Sequence, residues 1–174
     1  RGTEGRFHLV TEVSFSYQAT VSSGTGGSRT VTKYVNGDMV AHSFSASGEL
    51  IWMSVLPRFI NTAAYYLGNS QAVLFEDQLH ILFIDDGNNI ERRKKGERLE
   101  KGIDAKDCRS MIVSFDKEGK YRTKIVLVSD KDADYLAGTG MFQVGKGSFL
   151  TYGQRKLGTS KLVPVKVEFS KDTK

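Results

Sequence analysis

Apolar residues recur along this chain at the two-residue period of half-buried strands, and nowhere is the i, i+3, i+4, i+7 spacing of an amphipathic helix sustained for more than two turns. The period predicts ten strands: Phe7–Phe15, Met39–Phe44, Glu49–Leu56, Gln71–Phe75, Leu79–Ile84, Ser110–Phe115, Tyr121–Val128, Thr139–Val144, Ser148–Tyr152 and Leu162–Phe169. The segments between several of them have hairpin chemistry: Ser45-Ala46-Ser47-Gly48, Glu76-Asp77-Gln78, Asp116-Lys117-Glu118-Gly119 and Gly145-Lys146-Gly147. Glycine supplies the positive φ that such turns demand.

Superimposing these segments reveals an internal repeat. Met39-Val40-Ala41-His42-Ser43-Phe44, three residues and Gly48 match Met111-Ile112-Val113-Ser114-Phe115, three residues and Gly119. Independently, Phe7-His8-Leu9-Val10-Thr11-Glu12 matches Leu79-His80-Ile81-Leu82-Phe83-Ile84. A third copy follows, with Ser148–Tyr152 in place of the His80 strand and Val165–Phe169 in place of the Phe115 strand. Each unit is a hairpin, a long connection and a second hairpin, hence four antiparallel strands. The fold class expected is all-β: a propeller-like fragment of about three incomplete four-stranded antiparallel blades, in which every blade buries its faces against its neighbours. The first unit lacks its first strand and the third its last. One domain or fragment is expected over 1–174, with units at about 1–66, 67–136 and 137–174.

The segment Met39–Pro57, MVAHSFSASGELIWMSVLP, resembles a blade segment of large, mostly uncharacterised envelope proteins of Bacteroidota, and Arg6–Glu12 and Leu79–Asn88 resemble the companion hairpins of those blades. The resemblance implies a bacterial periplasmic, outer-membrane or extracellular location and a scaffolding or binding role. It brings no catalytic motif, and no cofactor is expected.

Composition supports the strand reading, with 18 Gly against 2 Pro in 174 residues. No run of 18 or more apolar residues is present to form a membrane-spanning helix. A single cysteine, Cys108, excludes an internal disulfide and a thiolate zinc cluster, and His8, His42 and His80 are too scattered for a local metal motif, so no metal is expected.

Several motifs fail on inspection. Gly140 to Lys146 fits GxxxxGK, but Gly147 follows where a hydroxyl should reach Mg²⁺, and the segment reads as a hairpin rather than a strand-to-helix turn. Asp130, Asp132 and Asp134 begin like a calcium loop, but Tyr135 and Met141 occupy the positions that need Gly and Glu. Asp85 and Asp86 with Glu12 could be imagined as a glycosidase pair, yet Asp85-Asp86-Gly87-Asn88-Asn89 reads more simply as a turn ending a strand. Trp52, Phe7, Phe44, Phe83 and Phe115 are expected in the core between blades.

The basic run Glu91–Lys101 is expected to be a mobile solvated loop. It lies at the same place in the repeat as Ser16–Lys33 and Gly153–Lys161, so three long loops should emerge on one face. The candidate binding residues there are Arg92, Arg93, Lys94, Lys95, Arg155 and Lys156, facing a protein partner or an anionic glycan. Nucleic acid is not expected, because the loops offer few aromatics to stack on bases. The expected function is a non-catalytic binding or assembly module within a larger chain or assembly. The alternative is a carbohydrate-active enzyme or glycan-binding propeller, distinguished by whether carboxylates from different blades converge on one cavity.

Overall fold

A computed structural model describes residues 5–22, 24, 26–64, 68–100, 107–126, 135–137, 140–155 and 162–169. Twelve strands and one short helix are present among them. The first sheet contains β1 (Phe7–Ser22), β2 (Ser28–Phe44), β3 (Leu50–Leu56) and β4 (Ile60–Thr62). It runs β1-β2-β3, with β4 pairing the other half of β2 beyond β3. The second runs β5 (Ser70–Phe75), β6 (Gln78–Asp86), β7 (Cys108–Phe115), β8 (Tyr121–Ile125). The third runs β10 (Phe142–Gly145), β11 (Ser148–Arg155), β12 (Leu162–Glu168), with β9 (Tyr135–Ala137) pairing the end of β11. All pairings are antiparallel. The helix α1 (Asn89–Lys95) follows β6.

The register reproduces the repeat. His8 pairs with Ser43, and His80 with Ser114. Thus β1, β2 and β3 occupy the places of β6, β7 and β8, while β10, β11 and β12 occupy those of β5, β6 and β7. The hairpin turns agree in detail. Ser45 N donates to Glu49 O and Gly48 N to Ser45 O, at 2.9 and 3.0 Å; Asp116 N donates to Lys120 O and Gly119 N to Asp116 O, at 2.8 and 3.1 Å. Side chains match as well, since Ser45 Oγ and Asp116 Oδ1 accept from the amides of Glu49 and Lys120 respectively.

The sheets stack face to face with the second in the middle. Met39, Ala41, Trp52 and Leu56 of the first pack on Leu79, Ile81, Phe83, Met111, Val113 and Phe115 of the second. From the other face of the second sheet, Val73 and Leu82 pack on Met141, Phe149, Val165 and Val167 of the third. Successive side chains of β6 therefore enter different cores, and every residue from Leu79 to Asp86 is buried. This explains why LHILFI is a continuous apolar run rather than an alternating one.

The segment Ser16–Lys33 is not a loop. It extends the first hairpin into a ribbon whose pairing continues from Ser14↔Asn36 to Ser22↔Ser28, past a register shift between Glu12 and Ser14. The run Glu91–Lys101 is likewise not structureless at its start: Asn89–Lys95 is helical, closed by Gly96 at φ 66°, whose amide donates to Arg93 O. Asp86 Oδ1 accepts from Asn88 N at 2.8 Å, the expected strand-ending Asx turn.

Candidate functional site

The basic residues singled out in the sequence divide sharply. Arg93 is buried, with its side chain 5% exposed, in an ion pair with Asp85, and its Nε donates to Pro57 O at 2.6 Å. Asp85 also accepts from the Asn89 side chain and the Asp86 amide, each at 2.8 Å. Arg92 pairs with Glu100, and Lys94 with Glu91 at 2.6 Å, both at the surface. Lys95 is exposed. Arg155 ends β11, and Lys156 lies outside the described residues. Asp130, Asp132 and Asp134 also lie outside them.

A second buried cation, Arg58, sits beyond the end of β3. It pairs with Glu12 and donates to Gly68 O at 3.0 Å and Ile84 O at 3.1 Å. Its Cζ lies 5.4 Å from the centroid of the Phe83 ring, and that of Arg93 lies 5.7 Å from it. Burial pushes both guanidiniums down, Arg93 to about 10, while Glu12 acts in the opposite direction on Arg58. Both stay charged at neutral pH. The cluster clamps the first sheet to the second: Glu12 and Arg58 come from one, Ile84 and Asp85 from the other. Chemically it offers no acid or base, because its carboxylates and guanidiniums engage one another.

Two grooves lie at the seams. One, of about 490 Å³, is bordered by all three sheets through Glu12, Asn36, Ser70, Gly140 and Tyr152. Its one carboxylate among the described residues is Glu12, held by Arg58 and by Ser70 Oγ, which donates to it at 3.0 Å. A hydrolytic pair on a glycosidic bond needs two carboxyl groups with distinct environments. The other groove, about 600 Å³, runs along β12 between the second and third sheets, past Phe75, His80, Ser114, Arg122 and Phe169. The His80 ring shares a 2.7 Å hydrogen bond with Ser114 Oγ, and burial pushes its pKa down to about 4. No cluster of three or more His, Cys, Asp or Glu side chains among the described residues is placed to hold a metal ion. Cys108 is buried.

The largest exposed features are the outer faces of the stack, which sequence reasoning missed. On the first sheet, Phe7, Leu9, Met53 and Val55 are exposed, and Phe7 stacks on Phe44 at 4.9 Å between ring centroids. Phe7 and Phe44 were expected in the core; Trp52, Phe83 and Phe115 are there. On the third sheet, Phe142, Val144, Leu150 and Tyr152 are exposed. Scattered apolar side chains are ordinary on a surface, whereas contiguous apolar faces mark contacts. The repeat held the signal: Leu9 and His42 align with Ile81 and Val113, which are covered by another sheet.

Compared with protein-family models, curated proteins and solved structures, the chain matches none. No helix among the described residues is long and apolar enough to cross a membrane.

Proposed function

We propose that the chain is a non-catalytic assembly module of propeller type, which docks further sheets on the apolar outer faces of its stack. The observation behind this reading is that each internal interface joins a face that looks toward the preceding sheet to one that looks toward the following sheet, and that the two remaining faces, one of each kind, are exposed and apolar. The resemblance to envelope proteins of Bacteroidota places such a module at a bacterial envelope, at the outer membrane, in the periplasm or outside the cell.

The contact surface shifts accordingly from the basic loops to the sheet faces. Arg93 serves the interior, and Arg92 and Lys94 are neutralised by acidic neighbours, so the expected pull on acidic partners is reduced. The test is binding of the apolar dye ANS to the folded chain. Bright binding that falls in the double variant Met53→Glu, Phe142→Glu, at an unchanged unfolding midpoint, is the expected result. Dye binding that ignores both substitutions overturns the reading.

A second reading, recognition of a glycan, is favoured by the groove where Asn36, Ser70 and the exposed ring of Tyr152 meet. Amides, hydroxyls and an aromatic face are the groups that hold sugars by hydrogen bonds and ring contact. Calorimetric titration with neutral and acidic oligosaccharides, repeated with Tyr152→Ala, tests it: no heat from any sugar, or heat unchanged by the substitution, removes the reading.

A further inference from the structure

The proposed docking faces leave open what covers them, and the internal repeat identifies an occupant. Resting on the assembly reading above, we infer that the sheet docking on each outer face comes from a second copy of this chain, so that two copies close head to tail into a six-sheet ring.

The argument begins with the sense of the stack. The first sheet offers Met39, Ala41, Trp52 and Leu56 to the second, which receives them on Ile81, Phe83, Met111 and Val113. The second offers Val73 and Leu82 to the third, which receives them on Phe149, Val165 and Val167. In the repeat, Phe149, Val165 and Val167 stand where Ile81, Met111 and Val113 stand, so the two interfaces share one polarity and one receiving surface. The exposed face of the first sheet is a further receiving surface, with Leu9, Val40 and His42 at the positions of Ile81, Met111 and Val113. The exposed face of the third sheet is a further offering surface, with Leu150 at the position of Leu82, paired across the strands with Phe142. The two ends of this chain's stack are thus the two halves of an interface the chain already makes twice. That continuity favours another copy of the same stack over an unrelated partner.

Closure fixes the number. Head-to-tail contacts generate a ring when the rotation closes and a filament when it does not. Closed propellers hold about four to eight blades. One copy has three sheets, two copies have twice three, or six, and three copies would have nine. Only two copies fall within the range. The ring then has a twofold axis and two identical junctions, each burying Phe142, Val144, Leu150 and Tyr152 of one copy against Phe7, Leu9, Met53 and Val55 of the other.

The experiment measures the mass of the intact chain in solution by sedimentation across a concentration series, with ANS binding followed in parallel. A species of twice 19.3 kDa is expected, with dye bound per chain falling as it forms. Met53→Glu, 57% exposed on the first sheet, and Phe142→Glu, 73% exposed on the third, should each raise the dissociation constant by about tenfold or more. Both should keep the monomer's unfolding midpoint. Mixing the two variants should restore part of the association, because one of the two junctions then joins unmodified faces. A dimer broken by Met53→Glu but indifferent to Phe142→Glu would mean that first sheets meet face to face, and would overturn the inference. A chain that stays monomeric while its faces still bind dye overturns it too and leaves the assembly reading standing; absence of dye binding as well removes both.

Discussion

Trp52 shows how single side chains join the sheets. Its ring stacks on Phe115 across the interface at 5.5 Å and lies 5.7 Å from His8 on its own sheet. A Cβ at Gly119 would come within 2.8 Å of the indole, and Gly119 also holds φ at +81°, where an L side chain is strained. Trp52→Ala should therefore cost about 3 to 5 kcal/mol in urea unfolding. Gly119→Ala should destabilise too, through both the clash and the backbone. A midpoint unmoved by either change would remove the indole from the interface. His80 adds a pH dependence. Its folded pKa of about 4 lies below the ordinary 6.5, so between those values the unfolded chain takes up a proton that the folded chain refuses. Its contribution is complete above pH 6.5 and is lost as pH falls toward 4. His80→Gln should narrow the gap between unfolding midpoints measured at pH 7 and pH 5; an equal gap would show that His80 is protonated inside the fold. Burial depresses His8 in the same direction, so part of the slope should persist in the variant. At this scale the sequence identified the wedge residues Trp52, Phe83 and Phe115 but gave no sign that Arg93 is internal, because a side chain's ion partner depends on tertiary neighbours. Asp85 is eight residues from Arg93 along the chain, and Pro57 belongs to another sheet.

The same contrast governs the elements. The helix α1 is short for autonomous stability, and its four consecutive basic residues in the last turn repel one another. It is held by Arg93 inserted toward Asp85 and by Asn89, fully buried, whose Oδ1 accepts from Glu100 N at 2.8 Å. Removing one partner from a buried ion pair leaves the other uncompensated, so Arg93→Ala or Asp85→Asn should cost about 3 to 5 kcal/mol. Replacing Arg92, Lys94 and Lys95 together should shift stability by less than about 1 kcal/mol. Chemical denaturation of the two sets decides; equal effects would show that the buried pair adds nothing beyond the surface charges. Strand existence and turn chemistry were legible because hairpins are local: alternation and Gly48 or Gly119 are contained within a short window. The ribbon of β1 and β2 was not, since the Ser and Gly around its turn read as a loop, although Val31, Lys33 and Val35 on one side and Tyr17, Ala19 and Val21 on the other keep the two-residue period. Its far half buries little, so polar Ser, Thr and Gln replace the apolar residues that mark a strand.

Over the whole molecule, the middle sheet is the hub. Its β6 is buried on both faces from Leu79 to Asp86, and β7 carries Met111, Val113 and Phe115 into one core while Ile112 faces the third sheet. Opening either strand to solvent requires separating two interfaces, whereas the ribbon from Val13 to Lys33 opens without disturbing a core, being mostly exposed. Local opening free energies follow such differences in burial, from near zero in exposed ribbons to the global value in core strands. Hydrogen exchange should therefore be slowest at amides of β6 and β7, and faster by several decades along the ribbon. Between these extremes lie β3 and β12, each half of one interface. If the two copies form a ring, protection should rise with protein concentration in β1, β3, β10 and β11, the strands of the end faces, and stay constant in β6 and β7. Concentration-independent exchange at the end faces would place them outside any self-contact. Ribbon amides exchanging as slowly as those of β6 would mean that the ribbon is covered and that stability is not centred on the middle sheet.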